Sequence, residues 1–501
     1  GLSIVAVLWL VLKILGWCLG SVLAVLLLLR IRDAVGKQIA PGLRQRVAVL
    51  VLGDVGRSPR MQYHALSLAR DIKESTGVHI DVDVIGYAGE PCIDDLRKHA
   101  HVTIHTVPTV MRPTAVKIPF VLWAPVKVLL QVLLLLRTLL LSVPRMDALL
   151  VQTPPAIPTL AVAGLISLLR GCRLVVDWHN FGYTILAINM KSSDHWLVRV
   201  ALMYERAFAR VGCSNLCVTR AMQEWLQREW GVRAHVLHDQ PPAFFRRTSL
   251  EEMHELFSRL GQACSPGRED RAGLSEALWA AGGARAAEST SQTLLTTRDA
   301  SSGEVRLRAD RPMLLVSSTS WTEDEDFGVL FDALLELDER IKEDAKCPRI
   351  LCVVTGKGPQ RAHYEARIAR MQLAKVRVKT MWLEAADYPR LLGCCDLGVS
   401  LHYSSSGLDL PMKVLDMFGA GMPVCAMGFR CLNELVQDEV NGLVFKDRKQ
   451  LTDQLQLLIS GFPDSSRLSQ LRANVKPGQW TQNWLQNAMP IILPELNNKN
   501  Q

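Results

Sequence analysis

Apolar positions along this chain fall into three regimes. Residues 4–29 are strongly apolar and carry a single charge, Lys13. A helix through them reaches roughly 39 Å at about 1.5 Å per residue, long enough to span a bilayer core with some tilt. The run exceeds that of a cleaved leader and no small-residue cleavage site follows it, so the pattern predicts an uncleaved anchor over residues 1–30. From residue 47 onward, a fully apolar run at 47–52 is followed by strand-like runs at 79–85, 101–107, 148–152, 173–177 and 216–219. They alternate with helical periods near 61–73, 158–169 and 195–210. A second series begins at 312–317 and continues at 350–355, 376–379, 397–401 and 423–427. Strand, loop and helix in repetition predict a doubly wound α/β architecture. The expected form is two Rossmann-like domains, 47–261 and 312–475, facing across a cleft, with ligands at the carboxyl ends of the strands. Residues 262–311 are rich in Ala, Gly, Ser, Arg and Glu and show no period, which predicts a flexible insertion at the domain junction. The tail, 476–501, carries Trp480 and Trp484 and is expected to dock back on the body.

Residues 118–143 form a second long apolar stretch, with Lys127 and Arg137 its only charges and Pro125 near its start. A second membrane span there would split the first domain across the bilayer. The reading preferred is a helix of that domain whose apolar face rests on the membrane surface, with an ordinary buried helix as the alternative. Charge then sets the orientation. Arg30, Arg32, Lys37, Arg44 and Arg46 follow the anchor with only Asp33 opposing them, which puts the remaining chain on the cytosolic side. The net charge of +8 suits an anionic membrane or phosphate ligands, and no nucleic-acid-binding motif accompanies it. The twelve cysteines contain no C-x-x-C pair, and Cys394 and Cys395 are adjacent. This is the usage of reduced thiols rather than of a disulfide frame or zinc site.

The chemistry concentrates near residue 410. Ser404-Ser405-Ser406-Gly407 is a small-residue loop, Pro411 stands where a helix would begin, and Lys413 and Asp416 follow three residues apart. Backbone N–H groups at a helix start attract phosphate. Lys413 adds a point charge for a diphosphate, and Asp416, on the same helix face, can accept two ribose hydroxyls. Ser405, Ser406, Gly407, Lys413 and Asp416 therefore read as a nucleotide-sugar site. Gly356-Lys357-Gly358-Pro359 follows a buried strand and permits close backbone approach, but it lacks the spacing and the Ser/Thr of a P-loop; Gly356 and Lys357 are placed near the donor. In the first domain, Gly53-Asp54-Val55-Gly56-Arg57-Ser58-Pro59-Arg60 closes the first strand without completing G-x-G-x-x-G. Arg57 and Arg60 can present guanidinium forks to a pyrophosphate there, with a basic surface loop as the plain alternative. Asp81-Val82-Asp83 has the form of a D-x-D metal motif, but alternation at a strand edge explains it better. The acidic run after Thr322 suits a helix start. No metal site is expected. Asp177-Trp178-His179-Asn180 ends a strand, so His179 can act as a general base, and Asp54 competes for that role by position.

These segments together resemble the chitobiosyldiphosphodolichol β-mannosyltransferase family of N-glycan precursor assembly. The resemblance rests on the Gly53–Arg60 loop within residues 51–69, on Asp177-Trp178-His179-Asn180, on Ser318-Thr319-Ser320-Trp321-Thr322 within 317–327, and on 404–416. It implies a GT-B fold, GDP-mannose as donor and dolichol-diphosphate-linked chitobiose as acceptor, with no tightly bound cofactor and Mg²⁺ at most stimulatory. It also implies a single-pass anchor in the endoplasmic reticulum membrane, catalytic domains on the cytosolic face, and other dolichol-pathway glycosyltransferases as further partners. Many related enzymes carry a Glu eight positions before the carboxylate matching Asp416. Leu408 stands there in this chain, which is compatible with an inverting, β-forming transfer in one in-line displacement. The competing readings are a catalytically silent membrane-anchored scaffold of the same fold, and an enzyme of this fold using another sugar nucleotide or lipid.

Overall fold

A strand that is apolar at every position needs cover on both faces of its sheet. In the computed structural model residues 47–52 have it, each at most 4% exposed. The structure describes residues 45–111, 120–261, 274–279, 291–322 and 325–497. The expected anchor and the basic residues up to Arg44 lie outside the described residues, as do residues 118–119 of the second apolar stretch and much of the 262–311 segment.

Two compact units account for the chain. One runs to His238 and resumes at Thr481; the other is Asp239–Trp480. The first holds a parallel sheet of β1 (Gln45–Asp54), β2 (Ile80–Tyr87), β3 (Val102–Val107), β4 (Ala148–Thr153), β5 (Arg173–Trp178), β6 (Ser214–Cys217) and β7 (His235–Val236), in the order β3-β2-β1-β4-β5-β6-β7. β2 is therefore an interior strand. Asp81 and Asp83 on it are held by Arg46, His101 and His105 at 2.7–3.1 Å, so ion pairing rather than edge alternation accounts for the D-x-D pattern.

The second unit opens with an antiparallel pair, β8 (Thr296–Arg298) and β9 (Val305–Leu307). Its parallel sheet contains β10 (Met313–Ser318), β11 (Ile350–Thr355), β12 (Val376–Met381), β13 (Leu397–Ser400), β14 (Val424–Met427) and β15 (Gly442–Phe445). The order is β12-β11-β10-β13-β14-β15. In both sheets the first and fourth strands are neighbours and the chain reverses direction between them. That is the arrangement in which ligands bind beyond the carboxyl ends of those strands.

The unit boundary differs from the expected one. The helix Leu250–Gly261 belongs to the second unit, where Met253, Leu256 and Phe257 share a core with Leu392 and Met417. The described parts of 262–311 are anchored in the same way. Leu274, Leu294 and Leu295 are buried in that core, His254 meets Thr296 at 2.9 Å, and Trp279 donates to the Lys375 carbonyl at 3.2 Å. A few apolar anchors too sparse to form a period hold a segment whose composition suggested only flexibility.

The tail packs within the first unit. Trp484 is fully buried and its indole N–H donates to His64 Nδ1 at 2.8 Å, while Thr481 donates to Asp71 at 3.0 Å. Removing a fully buried aromatic leaves a cavity, so Trp484→Ala should lower unfolding stability by roughly 3–5 kcal/mol. Trp484→Phe, which mainly strands the His64 acceptor, should cost about 1–3 kcal/mol. Chemical denaturation of the purified variants checks both values and their order.

Candidate active site

In the first unit the functional residues sit at the ends of β1 and β5. Asp54 caps the turn Val55–Arg57: its Oδ1 accepts from the Gly56 amide at 2.9 Å and its Oδ2 from the Glu90 amide at 3.0 Å. Both carboxylate oxygens thus pin a loop. A Cβ on Gly56 would come within 2.1 Å of the Glu90 carbonyl oxygen, so only glycine lets the two loops meet. Arg57 stays largely in solvent, 3.2 Å from Glu90. Arg60 does not share that position. It is 4% exposed, it donates through Nε and Nη2 to the two oxygens of Asp177 at 2.8 and 2.9 Å, and through Nη1 to the Leu237 carbonyl. The expectation that Arg60 grips a pyrophosphate beside Arg57 is corrected by this burial: its fork is committed to a carboxylate inside the unit.

Asp177 gathers three side chains. Besides Arg60, its Oδ2 lies 3.0 Å from His64 Nε2 and 2.8 Å from His179 Nε2. An indole N–H can only donate, so the bond from Trp484 fixes His64 Nδ1 as acceptor and its Nε2–H as donor to Asp177. Burial, with Arg60 and His179 nearby, holds His64 below the usual imidazole pKa against the pull of Asp177. Burial would push the Asp177 carboxyl up, yet Arg60, His179 and His64 together keep it well below the usual carboxylate range. A charged Asp177 accepts the Nε2–H of His179 and leaves Nδ1 as the nitrogen with a free lone pair, as a carboxylate does in an acid–base dyad. The His179 amide donates to the Thr153 carbonyl at 3.0 Å, which ties this residue to the end of β4.

In the second unit a cavity of about 290 Å³ opens at the ends of β10 and β11, lined among others by Thr319, Gly356, Trp382, Tyr388 and Lys413. Lys413 Nζ is 2.9 Å from Glu325, which is 3% exposed. The other oxygen of Glu325 accepts from Thr319 Oγ1 and from the Ser320 amide. The acidic run does begin a helix, but through Asp326, whose side chain accepts from the Gly328 amide at 2.8 Å. Its neighbour Glu325 turns inward to position the lysine. Lys357 stacks its ammonium over the Trp382 ring, 4.1 Å from the centroid, a cation–π contact at the rim. Gly356 has φ +142°, and a Cβ there would lie 1.8 Å from the Thr319 carbonyl oxygen. The close approach this glycine permits is to the chain's own β10 loop.

Asp416 sits beside this cavity on the helix Met412–Gly419, for which Pro411 is the cap rather than the first residue. Burial pushes its carboxyl up to about 8 against the opposing Lys413 and Tyr388. The Tyr388 hydroxyl donates to Ser318 at 3.0 Å, and burial foremost, then Asp416, pushes that phenol up as well. Ser405, Ser406 and Gly407 do not line the cavity. Ser404 and Ser406 turn their hydroxyls onto Asp409, and the Gly407 and Leu408 amides donate to the two serine oxygens. Leu408 is buried at 2% exposure. The structure thus gathers Gly356, Lys357, Lys413 and Asp416 and leaves the serine loop folded on itself. Glu325, Trp382, Tyr388 and Asp409 are the residues that sequence reasoning missed. Only Glu325 and Asp409 lay in segments already singled out.

Two family models match: "Glycosyl transferase 4-like domain" over residues 61–239 and "Glycosyl transferases group 1" over 311–461. The chain is 44% identical over 454 residues to a Homo sapiens protein named chitobiosyldiphosphodolichol beta-mannosyltransferase, covering 90% of this chain and 93% of that one. It is 42% identical over 476 residues to the Arabidopsis thaliana protein named UDP-glycosyltransferase TURAN, covering 90% and 98%. A sucrose-phosphate synthase from Thermosynechococcus elongatus superposes with a TM-score of 0.56 at 13% identity over 91% of this chain and 99% of that one. This likeness speaks to the fold, GT-B, alone.

Gly356→Ala should destabilise the second unit and weaken binding of any ligand in its cavity. The added methyl has backbone on one side and a strained φ on the other; thermal unfolding and nucleotide titration of the variant measure the two effects. Asp416 gives the chain a pH signature. Unfolded, its carboxyl loses its proton near pH 4; folded, near 8. Between those values the folded chain holds a proton that the unfolded chain has released, so stability falls as pH rises through the window and levels off above it. Asp416→Asn should flatten that fall, which unfolding midpoints at about pH 5 and about pH 8 will show.

Proposed function

We infer that this chain, which belongs to the chitobiosyldiphosphodolichol β-mannosyltransferase family, moves mannose from GDP-mannose to dolichol-diphosphate-linked chitobiose with inversion at the anomeric carbon. The observation that carries the site assignment is Lys413, held by buried Glu325 at a cavity beyond the carboxyl ends of β10 and β11. A fixed ammonium in a partly desolvated cleft stabilises the negative charge that develops on a departing nucleoside diphosphate. Asp416 on the same helix takes the ribose hydroxyls, and Lys357 with Trp382 stands at the rim. The serine loop with Gly407 is assigned to the diphosphate after a rearrangement that frees its amides from Ser404 and Ser406.

The first unit supplies the base. The acceptor hydroxyl oxygen attacks the anomeric carbon, the bond from that carbon to the diphosphate oxygen breaks, and GDP leaves with the electron pair. The hydroxyl proton passes to His179 Nδ1, whose Nε2–H stays on Asp177. Asp54 is the weaker candidate, since both of its oxygens accept backbone amides. Arg57, exposed in its loop, is assigned to a phosphate of the acceptor. Residues 4–29 anchor the chain in the endoplasmic reticulum membrane with both units on the cytosolic side, by the basic residues that follow them. The name of the Arabidopsis relative favours a second reading in which the donor is a uridine nucleotide sugar.

Transfer from GDP-mannose to synthetic chitobiosyl-diphosphate-lipid by the detergent-solubilised chain tests this function. A β-mannosylated product, lost in Lys413→Ala and Asp416→Ala, is the expected result. Product from UDP-sugars instead would install the second reading, and absence of any transfer by folded, nucleotide-binding protein would refute both. His179→Ala should lower turnover by roughly 10²–10⁴ with donor affinity unchanged; a loss of less than about tenfold would remove His179 from the role of base.

A further inference from the structure

The three crossovers β3→β4, β4→β5 and β5→β6 carry the chain in one direction across the first sheet. Right-handed connections then put all their helices on the same side of it. These helices are Phe120–Arg137, Thr159–Arg170, Gly182–Met190 and Trp196–Phe208. Three of them bury an inner side, Leu135 in the first, Leu160 and Ile166 in the second, Val198 and Ala201 in the last, while Gly182–Met190 buries no residue completely. A solvated helix turns polar residues outward. These do not.

On the first helix Val126, Leu129, Leu130 and Leu133, spaced i, i+3, i+4 and i+7, are 39–59% exposed. Leu165 and Leu168 are exposed one turn apart on the second, and Ile185 and Ile188 on the third. Trp196, Val200 and Met203 continue the pattern on the fourth, with Met203 at 70%. The outward charges are of one sign. Lys127, Arg137, Arg199 and Arg206 are exposed, and the sole acid on the four helices, Glu205, is 2% exposed.

We propose that this four-helix face of the first unit lies in the surface of an anionic phospholipid bilayer, as a second membrane contact beside the anchor. Three features select a bilayer over another occupant. The outer stripes are apolar at helical spacing across four neighbouring helices, a breadth suited to a lipid plane. Every exposed charge on those helices is basic, which matches anionic headgroups. The segment Trp123–Ser142 is long and apolar enough for hydrocarbon, and residues 4–29 keep the chain next to a membrane. The proposal concerns the surface itself and does not depend on which sugar is transferred.

The full chain, reconstituted in nanodiscs of phosphatidylcholine and phosphatidylserine doped with a phospholipid carrying an acyl-chain diazirine, tests it without any sugar substrate. After photolysis, lipid adducts mapped by mass spectrometry are expected on peptides covering 123–142 and 165–203 as well as 4–29. The double variant Leu129→Glu/Leu133→Glu should lose the adducts at 123–142 while keeping the wild-type melting curve. Adducts confined to 4–29 overturn the proposal. So do adducts on 123–142 with none on 165–203, which would reduce the face to one helix. Protein–protein crosslinks joining the face to residues 4–29 or to a second copy would give it a different occupant and also overturn it.

Discussion

Asp177 is a carboxylate with no exposed surface, and much of the first unit is arranged to keep it charged. An isolated buried anion is unaffordable; one met by a bidentate guanidinium and further donors is tolerable. Arg60 comes from the helix that follows β1, His64 from one turn further along it, and His179 from just beyond Asp177. Arg60 also reaches the Leu237 carbonyl beyond β7, and His64 takes the indole of Trp484 from the tail. One charge therefore ties together the first crossover, the far edge of the sheet and the C-terminal segment. Truncating Arg60 would leave the anion uncompensated, at a cost typically about 3–5 kcal/mol for a buried pair. Hence Arg60 belongs to the scaffold although its position in the sequence suggested a ligand.

The second unit repeats the device with a different exposure of the partners. Glu325 is almost completely buried and satisfied by Thr319, Ser320 and Lys413. Lys413 is 28% exposed on its side chain, so the pair is anchored on the acid and open on the base. At Asp416 burial outweighs Lys413 and Tyr388, and its carboxyl is pushed up to about 8. Of these two acids, Glu325 is buried but met by three donors, whereas at Asp416 desolvation prevails over its partners.

These differences mark how far the sequence could be read. The strands were visible because burial on both faces demands unbroken apolar runs, and residues 47–52 and 350–354 show them plainly. The positions of Lys413, Asp416, Gly356 and His179 were visible because loops after such strands collect at one end of the sheet. Arg60 was misplaced because its partner lies 117 residues away, a separation no local pattern encodes. Glu325 was read only as part of a helix start, since the neighbouring Asp326 satisfies that pattern completely. The segment 262–311 was read as loose because its anchors are a handful of leucines spread over a polar background.

The two buried acids also decide which groups can react. A fully buried, multiply bonded carboxylate cannot approach a substrate, so its effect is exercised through whichever partner is half open. In the first unit that partner is His179, at 20% side-chain exposure, and in the second it is Lys413. Asp177 holds the imidazole by its Nε2, and Glu325 holds the Lys413 ammonium; in the proposed transfer these are the base and the cation that meets phosphate charge. Each unit thus presents one preorganised group at the carboxyl end of its sheet, a proton acceptor in one and a cation in the other. An inverting displacement requires that pair of functions. It does not require a carboxylate at the position of Leu408, which is 2% exposed. In the proposed transfer both working groups are the more open partners of buried acids.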